Sequence, residues 1–194
     1  MTCKSKIILY FELQTNMNEH QNDSQLIKAK VVDINNHVID FICIDYKLLS
    51  KVIHQATFLF IIEQQSLRVF CHKRSQQKQY QPGALSTCFT GIVLESEDYR
   101  QCAKRKLTQE TGLELDLTYL NSFYYESKQN KIWGQIFYTF YDGQIINFIQ
   151  DPKEVQDIEL MSYREIIIRE QNGEKFIQES MQALHFLNKR VLRQ

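Results

Sequence analysis

Apolar runs of strand length, separated by polar turns, alternate along this chain with helical patterns. The run at residues 56–62 is continuously apolar, which is typical of a central strand buried on both faces. Asn35 and Asn36 separate two short apolar runs and predict a hairpin, because asparagine tolerates the left-handed backbone of tight turns. Asp142 and Gly143 give a second hairpin signal. The predicted strands are residues 31–34, 38–41, 56–62, 67–72, 113–125, 132–141 and 145–149.

One helical pattern is predicted to begin at Ser96 and to end at Gly112. Ser96 suits an N-cap because its hydroxyl accepts from free amides of the first turn, and glycine suits the left-handed residue that ends a helix. The three- and four-residue spacing puts Tyr99, Cys102, Ala103 and Leu107 on one buried stripe, and Arg105, Lys106, Gln109 and Glu110 on the opposite face. Two further helices are predicted at residues 163–170 and 174–192.

The chain divides into an extension, residues 1–27, and one folded domain, residues 28–194. The extension begins with the apolar residues 7–11, and a polar linker comes after them. The apolar piece fits an added edge strand, an intermolecular contact or part of a targeting leader, and the sequence leaves these three open. Through this segment we expect protein assembly partners.

Charge and composition argue against several classes of function. The 23 basic and 23 acidic residues cancel, so no global field attracts nucleic acid or an anionic membrane. The aromatic residues of the strands at 113–141 would offer stacking surfaces for bases, but without a basic excess a nucleic-acid partner is disfavoured. The five cysteines form no CxxC pair and are expected to be reduced. We expect a soluble intracellular protein, cytoplasmic in the first instance, with an organellar location left open.

Five residues share one fixed spacing: Gly91, Glu97, Arg105, Glu110 and Gly112. In this spacing the segment at residues 91–113 resembles the Nudix box, a strand, loop and helix motif of Nudix hydrolases. The resemblance implies an α+β fold, an α/β/α sandwich with a mixed central sheet. It also implies that Gly91, Glu97, Arg105 and Gly112 build the junction, with Arg105 pairing with Glu97.

Two positions of the box differ from the family pattern. Lys106 and Gln109 stand where the family has glutamates. The family's three helical carboxylates hold Mg²⁺ against a diphosphate. Here Glu110 and Glu97 remain as metal candidates, and Mg²⁺ is expected only if the protein is active. An ammonium about 4 Å from a divalent ion, at an effective dielectric near 20, opposes its binding by about 8 kcal/mol unless the side chain moves away.

Residues outside the box extend the resemblance to the branch with isopentenyl-diphosphate isomerases and related bacterial hydrolases. On that resemblance Arg74 and Lys78 contact phosphate, with a solvated basic loop as the alternative. Glu154 falls in the family's downstream acidic segment and joins Glu110 as a catalytic candidate, with a solvated carboxylate as the alternative. The isomerase itself fits poorly, because Thr90 stands where the isomerase has a catalytic cysteine.

Two functions remain open. The favoured one is a catalytically impaired Nudix-fold protein that binds a diphosphate ligand or serves as an assembly subunit. The alternative is a Mg²⁺-dependent hydrolase of a nucleoside diphosphate linked to another moiety. In the alternative, Glu110, Glu97 and Glu154 hold the metal and Arg74 holds phosphate.

Overall fold

A computed structural model describes residues 27–143, residue 148 and residues 152–194. The predicted extension, except Ile27, and the strand predicted at residues 145–149, except Phe148, lie outside the described residues. The protein contacts predicted for the extension therefore stay a prediction.

The first two strands of the sheet form the predicted hairpin. Strands β1 (Lys28–Val32) and β2 (Val38–Cys43) are antiparallel, with Lys28 opposite Cys43. Asn36 in the turn has a φ of 67°, the left-handed conformation for which asparagine was expected. A one-turn helix, α1 (Tyr46–Leu49), comes after the hairpin and is capped by the side chain of Asp45.

The central strand is β3 (His54–Glu63), which confirms the interpretation of the continuous apolar run. Along its whole length it pairs in parallel with β8 (Lys131–Tyr141). Its other side pairs antiparallel with β6 (Phe89–Ile92) and, near its end, with β4 (Val69–Arg74). The sheet is therefore mixed, as the resemblance implied.

The remaining strands extend the sheet on both sides. β5 (Leu85–Ser86) and β9 (Val155–Met161) both pair with β4, and β7 (Thr118–Glu126) pairs with β8. β7 begins at Thr118 rather than at the predicted residue 113. The carbonyl of Leu117, the residue before β7, accepts a hydrogen bond of 2.7 Å from the Arg100 side chain. Because β9 pairs with β4, the start of β9 lies beside the basic loop after Arg74.

The box helix, α2, is Tyr99–Thr111, and its start was predicted wrongly. Asp98, not Ser96, is the N-cap: its carboxylate accepts from the Gln101 amide, and the Gln101 side chain accepts from the Asp98 amide. This reciprocal capping box satisfies two free amides. Gly112 ends the helix with a φ of 72°, as predicted.

Helix α3 (Tyr163–Gln171) agrees with the prediction, whereas the last helix was predicted to begin too early. Residues 175–177 are extended because they bond to a strand: the Leu85 amide donates to Lys175, and the Ile177 amide donates to Leu85. Helix α4 is Gln178–Leu187, and a π-helical turn, Asn188–Leu192, continues it.

Alternate residues of β3 face two separate cores. Phe58 and Phe60 pack in a cluster with residues of α3 and α4, whereas Leu59 and Ile61 pack in a cluster with Leu107 of α2. The sheet therefore lies between helices on both faces, which is the predicted α/β/α sandwich. None of the helices in the described ranges is long and apolar enough to cross a membrane.

Four cysteines fall in the described residues, and all of them are free thiols, as expected. Cys71, Cys88 and Cys102 are buried. Burial raises the pKa of the Cys102 thiol to about 12, so these cysteines behave as small core residues rather than as nucleophiles.

Candidate ligand-binding site

A cavity of about 330 Å³ lies where the box helix, the start of β3, the loop before β5, the start of β9 and the start of α4 meet. This volume is at the lower end of the range for small-molecule sites. Six of the predicted site residues line it: Arg74, Lys78, Gly91, Arg105, Glu110 and Glu154. The fold therefore brings together residues that are up to 80 positions apart in the sequence.

Lys106 lies in the wall of this cavity, and its ammonium contacts two carboxylates. It forms an ion pair with Glu110, one turn further along α2, and a longer contact of 3.5 Å with Glu154. Lys106 and Glu110 are only 8% and 3% exposed, although the sequence placed them opposite the buried stripe. Both faces of α2 are therefore buried at this point, one by the core and one by the cavity wall.

Glu154 lies between two ammonium groups. Its Oε2 atom is 2.6 Å from Lys78 Nζ and 3.5 Å from Lys106 Nζ. Its carbonyl accepts a bond of 3.1 Å from the Ser75 amide, which ties the basic loop to the residue before β9. Lys78 and Glu154 pair with each other, with 18% and 30% of their side chains exposed, so the phosphate contact and the catalytic role predicted for them stay predictions.

Burial and the carboxylates have opposite effects on the lysine. Burial acts to lower the pKa of Lys106, but Glu110 and Glu154 outweigh it and hold that pKa above its ordinary value. Burial also raises the pKa of Glu110, and Lys106 opposes this. For Glu154, the two lysines outweigh burial and hold its pKa below the ordinary range. Lys106 is therefore a permanent cation in the cavity wall at neutral pH.

Arg74 is buried, and its side chain bonds to the loop that carries Lys78. Its Nε and Nη2 atoms donate to the Tyr80 carbonyl at 3.1 and 2.9 Å. The Tyr80 ring is parallel to that of Tyr46, with centroids 5.9 Å apart. The Tyr80 hydroxyl donates to Glu179 at 3.3 Å. One tyrosine thus connects the guanidinium to a buried carboxylate of α4.

Glu97 and Arg105 form the structural pair that the resemblance implied. Arg105 donates to both carboxylate oxygens of Glu97, at 2.5 and 2.9 Å, and Glu97 also accepts from the Leu94 amide. Arg105 further donates to the Ile92 carbonyl at 3.2 Å. This network fixes the loop between β6 and α2. Glu97 is not in the cavity wall, so its interpretation as a metal ligand is not supported by its position.

The residues present do not fit a family-type magnesium site. Magnesium takes oxygen ligands in octahedral geometry, commonly from several carboxylates and waters. In the described part of the chain, no group of three His, Cys, Asp or Glu side chains could hold a metal ion. The two carboxylates that do converge, Glu110 and Glu154, contact the Lys106 ammonium instead.

Tyr46, Tyr80 and Glu179 are among the cavity residues that the sequence interpretation missed. Tyr80 lies within the basic loop that was singled out, so its nearness to Arg74 was the available signal. Tyr46 and Glu179 lie on helices whose meeting with this loop depends on the tertiary fold, and nothing local marks them.

The fold and the box geometry are those of the Nudix class. A family model described as the NUDIX domain matches residues 53–184, more than half of the chain, so the chain belongs to the Nudix family. It is 25% identical to an uncharacterized Nudix hydrolase of Yersinia pestis over 84% of this chain and 87% of the relative. It is also 25% identical to the uncharacterized Nudix hydrolase YfcD of Escherichia coli K12, over 71% of this chain and 73% of the relative.

Solved structures share the fold at lower identity. DR0079 of Deinococcus radiodurans superposes with a TM-score of 0.69 at 19% identity, covering 81% of this chain and 98% of that chain. The Nudix domain of Shewanella oneidensis NrtR, solved with ADP ribose, gives a TM-score of 0.56 at 14% identity, covering 72% of this chain and 87% of that chain.

Proposed function

We propose that this Nudix-family protein binds a diphosphate-containing ligand in the cavity and has little or no hydrolytic activity. The observation that carries the proposal is the Lys106 ammonium, held by Glu110 and Glu154. A lysine that is part of the chain supplies one positive charge where the family uses a divalent ion. It neutralises carboxylates and attracts phosphate, but it does not activate water as a metal does.

The charges at this end of the cavity favour an anion. Four cationic side chains, Arg74, Lys78, Arg105 and Lys106, line the cavity together with three carboxylates, Glu110, Glu154 and Glu179, which leaves one positive charge in excess. The Nη1 atom of Arg74 makes none of the bonds to Tyr80 and is available to a ligand. Charge-assisted bonds from Arg and Lys to phosphate are among the stronger hydrogen bonds in proteins.

A solved structure with a similar fold supports a diphosphate as the ligand. The NrtR Nudix domain was solved with ADP ribose, in which a diphosphate joins two groups. A Nudix fold can therefore hold such a molecule. Resemblance to the isopentenyl-diphosphate isomerase branch is a further reason to expect a diphosphate, and within that branch the ligand remains open between nucleotide and isoprenoid types.

The alternative is a Mg²⁺-dependent hydrolase, as the names of the relatives suggest. In that case Lys106 has to leave Glu110 before a metal binds. Repulsion of about 8 kcal/mol, for a unit and a double charge about 4 Å apart at an effective dielectric near 20, would otherwise exclude the metal. An assembly role for residues 1–27 is a separate proposal and rests on the sequence pattern alone.

Calorimetry with pyrophosphate and ADP, with and without Mg²⁺, tests the proposal. We expect the ligands to bind without metal, and we expect Lys78→Ala to weaken this binding at least tenfold. Lys104→Ala should leave the binding unchanged, because Lys104 is an exposed lysine of the box helix. A parallel phosphate-release assay should show no turnover. Turnover with Mg²⁺ in the ordinary enzyme range of about 1–10³ s⁻¹ would establish the hydrolase instead.

A further inference from the structure

Glu179 is a buried carboxylate at the opposite side of Tyr80 from Arg74. It lines the cavity, is only 4% exposed and belongs to α4. Its two oxygens each accept one hydrogen bond: Oε2 from the Tyr80 hydroxyl at 3.3 Å and Oε1 from the side-chain amide of Asn130 at 3.2 Å. In the part of the chain that the structure describes, Glu179 takes part in no ion pair.

These two hydrogen bonds leave Glu179 with unused acceptor capacity. A carboxylate has about four lone-pair sites, so about two remain on Glu179. A buried carboxylate that lacks a cationic partner is costly unless strong donors surround it. Because Glu179 faces a cavity, the missing donors are those that a ligand would bring.

A stacked pair of tyrosine rings lies next to this carboxylate. Tyr80 donates to Glu179 through its hydroxyl, while its ring is parallel to that of Tyr46, at an interplanar angle of 7°. Both rings line the cavity. Aromatic faces of this kind favour stacking with a planar ring of a ligand. A ligand ring that stacks on this pair would come close to the Glu179 carboxylate, because Glu179 accepts from the Tyr80 hydroxyl.

We propose that Glu179 is a specificity-determining residue that accepts two adjacent N–H donors from the edge of a planar ring, and that the ligand is a guanine nucleoside diphosphate. This inference rests on the proposed function, since it places the diphosphate at Lys78, Lys106 and Arg74. Glu179 then binds the base of the same molecule.

The donor pattern of the bases explains the choice of guanine. Guanine presents a ring N–H and an adjacent amino group on one edge, which match the two oxygens of a carboxylate. Adenine and cytosine present an amino group beside a ring nitrogen that accepts, and uracil presents one N–H between two carbonyl groups. When an acceptor atom of one of these bases faces a Glu179 oxygen, neither atom has a hydrogen-bond donor. Binding sites that rely on hydrogen bonds discriminate strongly against ligands with such a mismatch.

Calorimetry on the full chain with GDP, IDP, ADP, CDP, UDP and pyrophosphate tests the inference. We expect wild-type protein to bind GDP at least tenfold more tightly than ADP, CDP or UDP. IDP, which lacks the amino group but keeps the ring N–H, should bind about tenfold more weakly than GDP. Glu179→Gln should abolish the preference for GDP, and Glu114→Gln, an exposed matched control, should keep it.

The outcomes separate the two proposals. If pyrophosphate binds but wild-type protein shows no preference among the nucleotides, or Glu179→Gln keeps the preference, the role of Glu179 is overturned and the proposed function stands. If neither pyrophosphate nor any nucleotide binds, the proposed function fails as well. The comparison of ligands on wild-type protein needs no variant, so it decides the question even if Glu179→Gln does not fold.

Discussion

The aliphatic stem of Lys106 packs directly against the backbone of Gly91. A Cβ atom on Gly91 would lie 2.5 Å from Lys106 Cγ and 2.9 Å from Cys102 Sγ. Both distances are shorter than van der Waals contact. The glycine of the box is thus required by close approach of α2 to β6, and the same approach holds Lys106 in place.

We therefore expect Gly91→Ala to destabilise the protein by about 1–3 kcal/mol, the usual effect of overpacking. Urea unfolding measures this. The same change in a Lys106→Ala background should be less destabilising, because the stem that it clashes with is gone. Equal losses in both backgrounds would show that Cys102 or the backbone, rather than Lys106, sets the requirement.

Lys106→Met keeps a long side chain and removes the cation from Glu110. We expect a loss of about 3–5 kcal/mol at neutral pH, because a buried carboxylate is left unpaired. The loss should shrink in acid, since burial raises the pKa of Glu110 and the unpaired group takes up a proton. Urea unfolding of Lys104→Met, on the exposed face, provides the control. A neutral effect of Lys106→Met would mean that the pair is solvated in solution.

Glu97→Gln tests whether Glu97 is structural. It removes a charged acceptor from Arg105 and the Leu94 amide, so we expect a loss of about 1–3 kcal/mol in stability. Pyrophosphate affinity should not change, because Glu97 is outside the cavity wall. A variant that retains its stability but loses ligand or metal binding would instead support the metal interpretation of Glu97.

Two buried histidines predict acid sensitivity. Burial lowers the pKa of His54 to about 4, and burial together with the charges of Arg74, Lys106 and Lys78 lowers that of His72 to about 3. The unfolded chain takes up these protons below about pH 6.5, while the native chain does not. Stability is therefore complete above about pH 6.5 and falls as the pH decreases toward 3.

Each histidine contributes on the order of 3 kcal/mol to this loss. Urea unfolding between pH 7 and pH 4.5 should show the decline, and His72→Phe should make it shallower, because the ring that stacks on Phe89 is replaced by one that does not titrate. An equally steep decline in the His72 variant would assign the effect to other groups.

Restoring the family pattern tests the box directly. Lys106→Glu with Gln109→Glu places three carboxylates, with Glu110, on one face of α2. We expect the double variant to bind Mg²⁺ and to gain Mg²⁺-dependent diphosphate hydrolysis, whereas each single variant should show much less. Phosphate release from pyrophosphate and nucleoside diphosphates measures the gain. A double variant that is folded, binds Mg²⁺ and remains inactive would mean that other residues of the site also limit turnover.

The sequence was sufficient for elements with a strong local pattern. The β3 strand, the Asn36 turn and the Gly112 cap result from short-range chemistry, whereas the α/β/α sandwich was implied by the resemblance to the Nudix box. The N-cap was wrong because Ser96 and Asp98 both suit the position, and the deciding signal was the Gln101 side chain three residues after Asp98. Residues 175–177 suit a helix locally, but they are extended because they pair with Leu85.

The site was only partly visible in the sequence. Arg74, Lys78, Glu110 and Glu154 were identified, but their pairing was not, because an ion pair between positions 78 and 154 depends on how β4 and β9 meet. Helical periodicity placed Lys106 on a polar face and gave no reason to expect it buried. Burial of both faces of a helix becomes apparent only when the neighbouring loop is in place.

Lys106 makes the positive charge of the site a property of the polypeptide itself. A metal ion can be stripped by a chelator or can fall in concentration, and a binding site that needs it then loses affinity. A lysine ammonium held by Glu110 and Glu154 is always present at neutral pH. On the proposed function, occupancy of the cavity would depend on the ligand concentration alone and would be indifferent to EDTA and to the supply of divalent cations.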